Sequence, residues 1–351
     1  MRPVETGRAA VAAVILAAGA SSRFGSPKPL VRVGSRTMLQ VAVDAATGAG
    51  LAPVLAVLSP EVPAPATVTV VRNARPERGM SRSLQLGLAA IAPDVEAAIV
   101  LLGDQPTVDV ALLHRLLGAR GATPVVAVRA GGLVGPPVLL ERGAFELAGG
   151  LSGDVGLRRL LRTEARLVTP VDLPEPIPDV DEPADLEAVT EPCPGCGAWF
   201  LPQAIDETHP YIGASPACWA AYGELLAREF GDATYGRVHR HSADVYAVQH
   251  PGIDDRRQRQ SVALHLIALH RWLEEGCEPR QLNAETQRLA AEARDWPWLE
   301  PPAGYPMTVL DVLDARSGSE HVDLVRRWAE TAWRAWSAHH ATVRRWAAEA
   351  G

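Results

Sequence analysis

The first 190 residues alternate between short, unbroken apolar runs and longer segments whose apolar residues recur every three or four positions. The runs, rich in β-branched residues, cover 11–16, 53–58, 68–71, 97–102, 125–128 and 167–171. Such runs fit strands buried on both faces, which need no polar alternation. Between them, 37–48, 81–91, 109–118, 155–163 and 183–189 carry helical spacing. Strand and helix in alternation predict an α/β domain with a Rossmann-like, mostly parallel sheet and helices on both faces.

Beyond residue 190 the pattern changes to helix alone, over 216–230, 238–249, 255–275, 283–294 and 320–349. In the last segment Val325, Trp328, Ala332, Trp336, His339, Val343 and Trp346 form a stripe at helical spacing. A buried helix face accounts for that stripe better than an aromatic ligand box. Two domains are therefore expected, 1–190 and a mainly helical 191–351, and a chain of this length ordinarily divides so.

Residue usage sharpens the boundary. All nine tryptophans, all four cysteines and nine of the ten histidines lie beyond 190, and the stretch from Asp172 to Gly197 is rich in proline and acidic residues. With 47% hydrophobic and 21% charged residues the chain has the composition of a water-soluble globular protein. A net charge of −7 gives no broad basic field for nucleic acid or anionic lipid. The longest apolar run is too short to span a bilayer and nothing resembles a secretory leader, so a cytoplasmic protein is expected.

One residue stands out against the composition. Of the 34 basic residues, Lys28 is the only lysine; the rest are arginines. It ends the Gly/Ser-rich turn "LAAGASSRFGSPK" after the first apolar run. Gly19 and Gly25 can supply the close backbone approach a phosphate cradle needs, though a plain strand-to-helix loop would read the same. The spacing is neither a Walker A loop nor a G-x-G-x-x-G dinucleotide turn.

As spaced, Leu16-Ala-Ala-Gly-x-Ser-x-Arg-x-Gly-x-x-Lys28 resembles the L-A-A-G-x-S-x-R-x-G-x-x-K motif of molybdenum cofactor nucleotidyltransferases. Further stretches match that family in order: "GMSRSL" after Asn73, "GDQP" at 103–106, "LSGDVGLRRLL" at 151–161 and "DVDEPADL" at 179–186. Together they cover roughly residues 10–190. "GDQP" and "GMSRSL" are more similar to the cytidylyltransferase branch than to the guanylyltransferase branch.

The resemblance implies transfer of CMP from CTP to molybdopterin with release of pyrophosphate. It implies that Leu16, Ala17, Ala18, Gly19, Ser21 and Gly25 surround the nucleotide, with Arg23 and Lys28 offsetting triphosphate charge. Asp104 would hold Mg²⁺, with Asp181 or Asp179 as a second carboxylate. Asn73 and Ser83 are candidates for base or ribose contact, and Asp154 serves the acceptor side or caps the following helix. A molybdenum hydroxylase is the implied downstream partner, for which the helical tail is a candidate docking surface. Two other readings of the scaffold are a non-catalytic cofactor-insertion chaperone and an oxidoreductase. One departure bears on the acceptor: relatives carry G-H-P-V where this chain has "VGPPV", so Pro136 replaces a histidine.

In the second domain Cys193 and Cys196 form a C-x-x-C flanked by proline and glycine, and Cys218 follows. A structural Zn²⁺ site would need one histidine more, and His250 at a predicted helix end is the first choice. A thioredoxin-type redox pair and plain buried thiols are the alternatives, with Cys277 expected to be such a buried thiol. From Cys193 to about Gly276 the wording also resembles an uncharacterised family of helical domains, which brings no activity with it.

Overall fold

The computed structural model describes residues 10–19, 24, 27–65, 67–153, 156–202, 211–292 and 294–350. The chain divides into two compact units, Met1–Val189 and Thr190–Gly351.

In chain order the first unit contains β1 (Val11–Ala17), β2 (Arg32–Val33), β3 (Arg36–Thr37), α1 (Met38–Gly48), β4 (Val54–Leu58) and β5 (Thr69–Arg72). There follow α2 (Met80–Ala89), β6 (Ala97–Leu102), α3 (Val110–Gly118), β7 (Val125–Ala130) and β8 (Leu133–Glu141). It ends with α4 (Phe145–Gly149), α5 (Gly156–Thr163), β9 (Val168–Asp172) and α6 (Pro183–Val189). Seven strands make one Rossmann-like sheet in the order β5-β4-β1-β6-β8-β7-β9, while β2 and β3 form a separate two-stranded ribbon. Every pairing in the large sheet is parallel except those of β8, which runs antiparallel to β6 and β7.

β1 lies mid-sheet and all seven of its residues are buried. Its alternate side chains feed two cores. Ala13 and Ile15 pack with Leu39, Val43, Leu113 and Leu116 of α1 and α3. Val14 and Leu16 pack with Leu84 and Leu88 of α2 and with Leu157 and Leu161 of α5. Burial on both faces is why β1 is a continuous apolar run rather than an alternating one.

α2 lies close to the sheet because Gly87 carries no side chain. A Cβ there would stand 2.4 Å from Val14 Cγ1 and 3.0 Å from Val57 Cγ2. Gly87→Ala is therefore expected to destabilise the unit by about 1–3 kcal/mol through overpacking. That outweighs the gain of at most about 1 kcal/mol from better helix propensity. Chemical denaturation of the full chain checks this, and an unchanged or raised midpoint would contradict the close packing.

The strand pattern failed at β8. Its segment "LVGPPVLLE" carries two adjacent prolines, which remove ladder donors and mark a sequence against a central strand. The strand forms because the ladder skips them: Ala127 pairs with Val138 and Val128 with Gly135, leaving Pro136 and Pro137 outside the register.

The second unit is mainly helical. A hairpin of β10 (Glu191–Pro192) and β11 (Trp199–Phe200) precedes α7 (Pro216–Gly231), α8 (His239–Gln249), α9 (Arg256–Glu275) and α10 (Pro279–Ala291). α11 (Val309–Leu313), α12 (Gly318–Ala335) and α13 (His340–Ala350) complete it. The predicted 320–349 helix is thus two helices joined by a 3₁₀ turn at Ser337–His339. Val325, Trp328, Ala332, Trp336, Val343 and Trp346 are all buried in one core. Because the stripe stays on the core side across the turn, spacing alone did not reveal the break. His339 is only half-buried, with its ring 5.6 Å from that of Trp336. α10 starts four residues earlier than predicted, where Glu278 and Gln281 form a reciprocal capping box.

Candidate active site and a buried cysteine–histidine cluster

The end of β6 turns sharply through Gly103, whose amide donates to the Leu16 carbonyl at 2.9 Å. A Cβ on Gly103 would meet the Ala17 Cβ at 2.8 Å, so glycine permits the ends of β1 and β6 to close on each other. That closure sets Asp104 opposite the start of the glycine-rich turn. Lys28 arrives from the other side, held between Pro27 and Pro29 at the start of a 3₁₀ turn, Lys28–Leu30. Its ammonium lies 3.5 Å from Asp104 Oδ2 and donates to Asp181 Oδ1.

The segment bearing Asp179 and Asp181 is pinned to this edge by its backbone, since the Val180 amide donates to the Asp104 carbonyl at 2.8 Å. Gln105 Nε2 donates to Asp179 Oδ1 at 2.9 Å, and Arg158 Nη2 stands 3.4 Å from Asp179 Oδ2. Asp185, in the first turn of α6, accepts from the amides of Asp181 and Glu182, both at 2.9 Å. Gln105, Arg158 and Asp185 thus position the acidic segment, roles that motif wording alone did not assign.

Burial pushes the Asp104 carboxyl above its ordinary value, and Asp179 and Asp181 push it the same way. Lys28 opposes the rise without cancelling it. A half-buried carboxylate with two like charges nearby is suited to a cation. One or two carboxylates plus phosphate oxygens is the usual Mg²⁺ environment, and Asp104 and Asp181, both beside Lys28, are the carboxylates that would supply it.

Among the described residues, hollows run along this edge. The first, about 380 Å³, is lined by Leu16, Ala17, Ala18, Gly19, Lys28 and Asp104 on one side and by Met80 and Ser83 of α2 on the other. A second, about 210 Å³, shares Leu16, Met80 and Asp104 with it and reaches Pro136, Arg158, Asp179 and Asp181. The third, about 510 Å³, continues from Pro136, Arg158 and Asp179 to Leu133, Ile177 and Arg162. Asp104 therefore stands where the first two hollows meet, and Pro136 where the last two meet. α2 links them, because Ser81 Oγ donates to the Gly153 carbonyl at 2.7 Å and Gln85 Nε2 to the Leu151 carbonyl at 3.0 Å.

Not every candidate faces the hollows. Asn73 is buried, gives its amide hydrogens to Ser83 Oγ at 2.9 Å and accepts from the Arg75 amide at 3.0 Å, so it braces Ser83. Ser21, Arg23, Gly25 and Asp154 lie outside the described residues.

In the second unit Cys193, Cys196, Cys218 and His250 are all buried, with their ligand atoms within 4.8 Å of one another. Cys196 Sγ is 3.8 Å from Cys218 Sγ, which is 3.3 Å from His250 Nε2. His250 Nδ1 lies 2.7 Å from the Tyr246 carbonyl, and the Ser215 amide donates to Cys193 Sγ at 3.4 Å. Hydrogen bonds from Cys196 and Cys218 hold the Cys193 thiol below its ordinary value, while Cys193 pushes Cys196 up to about 12. Other histidines are engaged elsewhere: His265 with Asp244, His239 and His321 with Glu229, and His270 with Glu274. Cys277 is free but half-buried, not the core thiol expected.

A strand-end carboxylate and a lysine beside a hollow of about 380 Å³ mark the candidate site of this α/β domain. Its family follows from comparison: the MobA-like NTP transferase domain model matches residues 13–170, and this part of the chain belongs to that family. Residues 191–337 match a family of unknown function (DUF5946). Among solved structures, Rv0371c from Mycobacterium tuberculosis H37Rv is 30% identical, the match covering 51% of this chain and 96% of that one with a TM-score of 0.48. Rv0371c in complex with manganese matches at 27% identity over 51% and 97%, TM-score 0.45. A nucleotidyl transferase from Methanothermobacter thermautotrophicus matches at 20% identity over 51% and 95%, TM-score 0.44. No curated protein compared with the chain gives a significant match.

Proposed function

We propose that the first unit transfers CMP from CTP to a phosphorylated, molybdopterin-type acceptor. The observation that carries this is the convergence of Lys28, Asp104 and Asp181 at the junction between the hollows. In this reading the nucleotide occupies the hollow lined by 16–19 and Ser83, and the acceptor the one lined by Arg158, Arg162 and Leu133. An acceptor phosphate oxygen attacks the α-phosphorus, the bond to the bridging oxygen breaks, and pyrophosphate leaves with the electron pair. Such chemistry asks chiefly for positioning and charge neutralisation. Lys28 would meet phosphate oxygens, and Asp104 with Asp181 would hold Mg²⁺. That ion, when bound, neutralises negative charge on the triphosphate. CTP is favoured by "GDQP" and "GMSRSL", while Arg23 is assigned to the triphosphate by its motif alone.

Pro136 shapes the acceptor side. A proline offers no side-chain hydrogen bond, so an acceptor is recognised there by shape and apolar contact, and its phosphate by the arginines. Incubated with Mg²⁺ and molybdopterin, the full chain is expected to release pyrophosphate with CTP and far less with ATP, GTP or UTP. Absence of release with every nucleotide overturns the reading. Cofactor binding and biological output that survive Lys28→Ala and Asp104→Ala would instead identify an insertion chaperone.

A further inference from the structure

We propose that Cys193, Cys196, Cys218 and His250 hold one Zn²⁺ in a closed structural site that fastens the β10–β11 hairpin to α7 and α8. This stands apart from nucleotidyl transfer and uses none of its residues.

The spacing suits a single tetrahedral ion. With Zn–S near 2.3 Å and Zn–N near 2.0 Å, neighbouring ligand atoms of a tetrahedron stand roughly 3.5–3.8 Å apart. The observed 3.8 Å between Cys196 and Cys218 sulfurs agrees, and the 3.3 Å from Cys218 Sγ to His250 Nε2 needs only a small opening. An unlinked pair of thiols needs no third sulfur and imidazole at this distance, whereas a borderline-soft metal needs that donor set.

The surroundings orient each donor. His250 Nδ1–H donates to the Tyr246 carbonyl, which leaves the Nε2 lone pair directed at the sulfurs. The Ser215 amide supports Cys193, and Cys218 is held in place in the first turn of α7. Between the two knuckle cysteines, a Cβ on Gly195 would stand 2.5 Å from His250 Cδ2 and 2.6 Å from the Gly213 carbonyl, so the loop packs directly on the imidazole. Gly197 has φ +77°, the left-handed turn that returns the chain to β11.

The hairpin also requires something beyond itself. Its strands are two residues each, far below what stands alone in water. Four buried protein ligands leave no open position, which is the mark of a structural rather than a catalytic zinc.

Elemental analysis of the full chain, purified without chelators, is expected to give about one zinc per chain. Metal-free protein given Co²⁺ should show the visible absorption of tetrahedral, thiolate-bound cobalt. Cys218→Ser and His250→Ala should lose the metal. If they fail to fold, Gly195→Ala keeps all four ligands and is expected to weaken zinc affinity roughly 10- to 100-fold by displacing the imidazole. A wild-type chain that holds no zinc after refolding with it, and whose melting is indifferent to zinc and chelator, overturns the proposal. So does iron as the bound metal, or a Cys193–Cys196 disulfide as the purified state.

Discussion

Asp104→Asn is expected to lower CTP-dependent pyrophosphate release by on the order of 10³-fold while leaving the fold intact. Loss of a carboxylate that holds the divalent ion removes roughly 4 kcal/mol of transition-state stabilisation. Asparagine matches aspartate in shape, so the Gly103 turn and the Val180-to-Asp104 backbone bond are kept. Stability should move the other way. The folded-state pKa of Asp104 is raised above its ordinary 3.8, so its ionised form is disfavoured in the folded protein. That cost is absent well below pH 3.8, grows as pH rises from 3.8 to the raised value, and is fully present above it. The variant should therefore melt at the same temperature as wild type or higher near pH 7, with the difference shrinking in acid. Excess Mg²⁺ with CTP should stabilise wild type, through ligand linkage, more than the variant. Pyrophosphate release and thermal melting on the same preparations read both signs. A variant with wild-type turnover would remove Asp104 from the site, and one that loses turnover and stability together would make it a structural residue.

The site was legible in sequence to the extent that its parts are local. β1 could be read because each of its residues is buried, and the turn after it because its motif lies within one stretch. Local pattern cannot show that Lys28 and Asp104 meet, since sheet order β4-β1-β6 creates that neighbourhood from distant segments. Nor could wording divide the work among the acids of "DVDEPAD". Asp179 pairs with Gln105 and Arg158, Asp181 with Lys28, and Asp185 with the backbone amides of 181 and 182. Asn73 shows the opposite failure, a polar residue in a functional stretch that serves Ser83 from behind. β8 was missed because its prolines broke the local rule, yet it brings Pro136 to the wall shared by two hollows. A local conflict at such a place is what a functional position looks like when the fold and the site want different residues.

Lys28 gives the second large effect and the more discriminating one. Lys28→Ala is expected to lower kcat/KM for CTP by roughly 10²- to 10³-fold, the scale of one lost charge donor at a developing anion. The informative substitution is Lys28→Arg. This chain uses arginine at every other basic position, so if charge alone mattered, arginine at 28 would serve. The geometry says otherwise: the ammonium fits between Asp104 and Asp181, on a backbone fixed by prolines at 27 and 29, with most of its side chain covered. A guanidinium is wider, planar and delivers its hydrogen bonds as a fork. Seated here it would engage both carboxylates and occupy the space where phosphate oxygens and a cation must meet. Lys28→Arg is therefore expected to stay at least about 10-fold below wild type in kcat/KM, a loss of at least ~1.4 kcal/mol. A raised Mg²⁺ requirement should accompany it, because the fork competes for the acids that would hold the ion. Full activity with arginine would mean that the lone lysine is a compositional accident, and that the pocket asks only for positive charge.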